Sequence, residues 1–132
     1  MKEDYVSFEI AKLLKEKGFG GGCLSMYVTP KHRSGMGNPN EAKIAPHGRD
    51  SHYYEGYLYQ CEAPTHQMAM KWLREVHHII FVFKPSCFSG DECTYWTYER
   101  WCGDNFDGEV LSFKTYEEAV EAALKDSLEN LI

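Results

Sequence analysis

Pro64-Thr65-His66-Gln67-Met68-Ala69-Met70-Lys71-Trp72-Leu73-Arg74-Glu75-Val76-His77-His78-Ile79-Ile80-Phe81-Val82-Phe83-Lys84-Pro85 changes its hydrophobic period once, and that change decides the fold. Met68, Ala69, Trp72, Leu73 and Val76 recur as an amphipathic helix requires, behind a Pro64-Thr65 start with Thr65 as N-cap. From Ile79 to Phe83 every residue is apolar, which predicts a strand covered on both faces or lying mid-sheet, closed by Pro85.

Toward the C-terminus, Thr94 to Trp101 alternates aromatic residues with Thr, Glu99 and Arg100, turn residues follow at Gly103-Asp104-Asn105 and Asp107-Gly108, and Glu109 to Lys114 returns. This spacing predicts a hairpin. Thr115-Tyr116-Glu117-Glu118 has the form of a capping box, and Ala119, Val120, Ala123, Leu124, Leu128 and Leu131 extend one apolar stripe behind it.

Toward the N-terminus, Ile10, Leu13 and Leu14 keep helical spacing after Ser7, and Gly18 stands where a left-handed cap ends a helix. Cys23 to Thr29 reads as a strand, and Tyr53 to Cys61 as another with Gly56 as a bulge. Between them, residues 30–52 hold Pro30, Gly35, Gly37, Pro39, Pro46 and Gly48 and few aliphatics, which predicts a long flexible loop. The order is helix, strand, loop, strand, helix, three strands, helix. The reading is one α+β domain over residues 1–132, with an antiparallel or mixed sheet of about five strands and three helices mainly on one face.

At 132 residues with 43% hydrophobic and 14% aromatic content, the chain has enough apolar surface to fold without metal or disulfide staples. Ile79 to Phe83 is the longest apolar run and falls far short of the ~20 residues of a membrane helix. Met1-Lys2-Glu3-Asp4 carries no apolar leader, and five irregularly spaced cysteines suit reduced thiols, so a cytoplasmic setting is expected. Charge is unevenly placed. Residues 85–132 carry −8 of the net −6, whereas residues 30–52 carry +2.

The segments Ser7 to Phe19, Ala63 to His77 and Tyr116 to Ile132 resemble a family of small uncharacterised proteins of gut bacteria and their phages. The resemblance covers the three helices, implies a mobile-element setting and implies no site residues. Thr65 to Ile132 also has the helix, three strands, helix order of a double-stranded RNA-binding domain. Such domains meet phosphates with cations at the start of the terminal helix, where this chain has Glu117, Glu118 and Glu121, so nucleic acid is disfavoured as a partner of that surface.

Motifs for bond chemistry are absent. Gly18-Phe19-Gly20-Gly21-Gly22 follows a helix and leads into a strand, the reverse of a phosphate loop. Phe106 interrupts the alternating oxygen ligands that a calcium loop at Asp104 to Glu109 would need. His77 and His78 with Cys87, Cys93 and Cys102 lack zinc-ligand spacing. No catalytic, cofactor-binding or metal residue is assigned, and no cofactor is expected.

Tyrosines and tryptophans beside excess negative charge are the remaining signal. Aromatic residues dominate protein interfaces, and complementary charge selects partners. The expectation is therefore a non-enzymatic accessory or inhibitory module that docks on a protein with a basic surface, through Tyr95, Trp96, Tyr98, Trp101, Glu117, Glu118 and Glu121. Two rivals are a nucleic-acid binder using the basic 30–52 stretch with stacking tyrosines, and a small cysteine- or histidine-dependent enzyme.

Overall fold

Ser7 starts the first helix, α1 (Phe8–Glu16), by accepting the amide of Ile10 on its hydroxyl. Gly18 closes it at φ +96°, with Gly18 N donating to Lys15 O and Phe19 N to Leu14 O, the paired bonds of a Schellman cap. The computed structural model describes residues 4–31, 39–47, 56–86 and 95–132. The chain is α+β; the described residues form three helices and two antiparallel sheets of three strands each.

Two sheets stand where one was expected, and the chain divides into two compact units, Tyr5–Thr65 and Met1–Asp4 with His66–Ile132. The first unit holds α1, β1 (Ser25–Pro30), a 3-10 turn (Pro39–Glu41), β2 (Lys43–Pro46) and β3 (Tyr57–Glu62). Its sheet order is β2-β1-β3. Strand β2 lies inside the stretch read as a loop. Its four residues are too few to show a period, yet Tyr27 pairs with Ile44, and Ala45 is buried at 3% exposure. A third strand satisfies the second edge of β1, which a two-stranded hairpin would leave open. Strand β3 starts after Gly56, which sits at φ +88° in a turn rather than a bulge, and the irregularity falls where Tyr27 pairs with Cys61 and Val28 with Tyr59. Val6, Ile10, Leu14, Val28 and Cys61 form the core of this unit. Tyr53 and Tyr54, read as part of a strand, lie outside the described residues, as do Cys87 and Cys93.

The second unit runs α2 (His66–His77), β4 (Ile79–Ser86), β5 (Tyr95–Cys102), β6 (Asn105–Phe113), α3 (Tyr116–Asn130). This is the helix, three strands, helix order read from the sequence. Among the described residues strands pair in sequence order, β4-β5-β6, which puts β4 at an edge rather than in the middle of the sheet. An all-apolar run fits an edge here because α2 and α3 cover one face of it and the other stays open. Gly103 takes φ +63° at the start of the two-residue turn between β5 and β6, a conformation strained for any side chain. Thr115 caps α3 by accepting Glu118 N at 3.1 Å, while the Glu118 carboxylate accepts the amide of Lys114 rather than that of Thr115. Ala69, Leu73, Ile79, Tyr98, Val120, Leu124 and Leu128 make the core of this unit. Within α2 the buried line is His66, Ala69 and Leu73, with Trp72 half-buried against His77 and Val76 exposed at 54%.

Candidate functional site

Register and alternation sort the side chains of the β4-β5-β6 sheet onto two faces. Phe81 pairs with Arg100, Phe83 with Tyr98 and Pro85 with Trp96, so these point toward the helices. Tyr98 is 2% exposed, in contact with the rings of Phe81, Phe83 and Phe113, and Tyr116 at the start of α3 packs edge-on against Phe83 and Trp96, each at 5.3 Å. On the same face Arg100 places two nitrogens on Asp107 Oδ2, at 2.6 and 2.7 Å, and a third on Asp126 of α3. Asp107 is the extra residue where the β5-β6 register shifts, so one guanidinium pins both the bulge and the last helix.

The opposite face is open along much of its length, although Thr97 on it is buried. Ile80 pairs with Trp101, and Trp101 with Phe106, whose rings meet edge-on at 5.3 Å. The next row is Val82, Glu99 and Glu109, and the row beyond it pairs Lys84 with Thr97. Lys84 forms an ion pair with Glu99; hydrogen bonding between them raises the ammonium and lowers the carboxylate. Trp101 Nε1 also lies 3.4 Å from Glu99 Oε2. Ile80 (40%), Val82 (39%) and Phe106 (54%) are exposed, with Tyr95 on the same face. The result is an apolar row with carboxylates beside it.

Of the residues read from sequence, Tyr95 and Trp101 therefore share this open face, whereas Trp96 and Tyr98 point to the helices. Parity along β5 separates the two pairs, since 95 and 101 are odd and 96 and 98 even. The glutamates of α3 do not join Trp101, because α3 packs on the other side of the sheet. Glu117 is exposed, Glu118 caps the helix, and Glu121 Oε1 lies 2.8 Å from Nε2 of the buried His66 on α2. Sequence reasoning passed over Ile80, Val82 and Phe106. Phe106 falls between turn residues, and only its pairing with Trp101 reveals it.

The first unit has a cleft of about 360 Å³ lined by Ala11, Lys15, Phe19, Gly20, His47, Tyr59 and Glu62. Glu62 Oε2 accepts from His47 Nε2 at 2.7 Å and from the Tyr59 hydroxyl at 3.1 Å, and Lys15 Nζ donates to Gln60 O at 2.8 Å. Partial burial, then the Glu62 carboxylate, push the Tyr59 phenol up to about 12. Burial pushes the Cys23 thiol up to about 11, helped by Glu62, and burial pushes Cys61 to about 11 against the lowering effect of Lys15 and Lys12. A thiol held protonated at neutral pH is the opposite of an activated nucleophile. Brief iodoacetamide treatment near neutral pH is accordingly expected to leave Cys23 and Cys61 unmodified until denaturant is added, as read by mass spectrometry. Below the ordinary value of 9.0 both folded and unfolded chains keep these protons, and stability is intact. As pH climbs from 9 toward 11 the unfolded chain loses them first, so the urea midpoint should fall across that window.

Among the described residues no three of His, Cys, Asp and Glu converge as a metal ion would need, and no helix is long and apolar enough to cross a membrane. The basic stretch offers Lys43, whose ammonium lies 4.1 Å from the Tyr57 ring centre; Arg33 and Arg49 lie outside the described residues. Neither a family model, a curated protein nor a solved structure matches this chain.

Proposed function

We propose that this protein is a non-enzymatic binding module that docks on a protein partner through the open face of its β4-β5-β6 sheet. The observation that carries this reading is the apolar row across β4, β5 and β6 made by Ile80 and Phe106, both exposed, and the half-buried Trp101 between them. Exposed apolar rows on a sheet are unfavourable in water and gain stability when a partner covers them, and large aromatic anchors supply most of the affinity of protein interfaces. Glu109 lies in the adjoining row beside the Lys84–Glu99 ion pair, with Asp104 in the turn, which suits a partner whose contact surface is basic. An accessory or inhibitory role in a phage or mobile-element setting, inside the cell, accords with the resemblance of the three helices and with small size.

The test is affinity capture with the full chain, comparing wild type with Trp101→Ser and Phe106→Ser. Phe106 is exposed, so the folded state should survive Phe106→Ser; Trp101 is half-buried, so a retained fold of Trp101→Ser is checked by circular dichroism. Loss of the same captured protein by about tenfold or more in both variants is expected, since truncating an interface anchor costs about 2 kcal/mol or more. Capture indifferent to both substitutions would remove the open face from the interface.

A further inference from the structure

Strand β4 has a second unusual feature, on its edge rather than its face. Eight residues pair with β5 without a register shift, and the first five, Ile79 to Phe83, are apolar throughout. Edge strands ordinarily carry charges, prolines or bulges that discourage another strand from adding on. The opposite edge of this sheet, β6, has two register shifts and a residue, Ser112, at φ +77°. In β4 the protective residues, Lys84 and Pro85, come only after Phe83. The segment before them is regular, and among the described residues its outer edge has no partner strand.

A cleft of about 200 Å³ runs beside this segment, lined by Ile79, Ile80, Phe81 and Phe83 of β4, Gln67, Met70 and Arg74 of α2, and Tyr116. Ile79, Ile80 and Phe81 alternate between the two faces of the sheet, so a cavity that touches all three lies along the strand's edge. Gln67, Met70 and Arg74 are spaced three and four apart and line its far wall from one side of α2. Arg74 is exposed, and no carboxylate pairs with it among the described residues. The cleft thus combines unpaired backbone groups of an edge strand, room for one large apolar side chain, and a guanidinium open to an anion.

We infer that an extended segment of a partner protein adds to the sheet along Ile79–Phe83, seats a large apolar side chain between α2 and β4, and places a carboxylate on Arg74. Main-chain hydrogen bonds to the edge supply affinity, and the pocket and the cation select the sequence. Arg74 holds a carboxylate through a planar pair of donors, which lysine cannot reproduce. The inference rests on the docking reading above, since Ile80 belongs both to the open face and to this cleft.

The experiment selects displayed random peptides of ~12 residues on the full chain, in one arm with a free C-terminus and in the other with the peptide followed by further chain. Enriched peptides are expected to share a bulky apolar residue and a carboxylate at fixed spacing. Recovery in the free-end arm alone identifies the carboxylate as the chain terminus, and recovery in both identifies it as Asp or Glu. Synthetic copies should lose about tenfold or more in affinity with Arg74→Glu or on conversion of that carboxylate to an amide, and the two changes together should cost little more than either. Bound peptide should slow amide exchange in residues 79–83. The inference is overturned if nothing is enriched, if enriched peptides ignore Arg74→Glu, or if exchange in 79–83 slows only with rising protein concentration, which would make a second copy the occupant. With the captured native partner, loss on Trp101→Ser but not on Arg74→Glu leaves the open-face reading standing and removes strand addition; loss on neither removes both.

Discussion

Tyr98→Ala is expected to destabilise the second unit by about 3–5 kcal/mol, the range for deleting a buried aromatic side chain. The ring touches Phe81, Phe83 and Phe113, and only 2% of the residue is exposed, so no neighbour can close the space without moving a strand or α3. Trp101→Ala, three residues along the same strand, should cost less, because Trp101 is only half-buried. Hydrogen exchange of β4, β5 and β6 amides measures both. Equal losses would mean that the two faces of the sheet are assigned wrongly, and with them the docking surface.

Ala45→Asp carries the second large effect, about 3–5 kcal/mol against the first unit. Ala45 pairs with Met26 and is 3% exposed, so an aspartate there is a charge in an apolar layer without a partner. In a solvated loop, as composition suggested for residues 30–52, the same change would be almost silent. Urea unfolding followed through the β1 amides separates the outcomes: an unchanged midpoint would return residues 43–46 to the loop.

Helix positions were legible because each rests on local signals: Ser7 and Thr115 at caps, Gly18 at a left-handed stop, and apolar residues at helical spacing. The strands of the second unit were legible for the same reason, through alternation and the Gly103 turn. What lay beyond reach was pairing. Nothing local in Lys43 to Pro46 says that β1 needs a partner on that side, and nothing in Ile79 to Phe83 says that an apolar strand ends at an edge. The candidate surface was half legible. Aromatic density drew attention to β5, but which aromatic residues face outward depends on register with β4, and Phe106 joins only through its cross-strand contact with Trp101. On α3, sequence alone does not tell that Glu118 serves the cap and Glu121 reaches the buried His66, whereas Glu117 is exposed.

Tyr5 bridges to Thr65, Val6 N donates to Pro64 O at 3.0 Å, and just outside them His66 N donates to Asp4 O at 2.9 Å. The sixty-odd residues between thus leave and return at one spot, as a cassette does. Such a stretch can be excised with a short splice, or exchanged for another insert, without stretching the host backbone, and its ends are natural places to cut when the two halves are made separately.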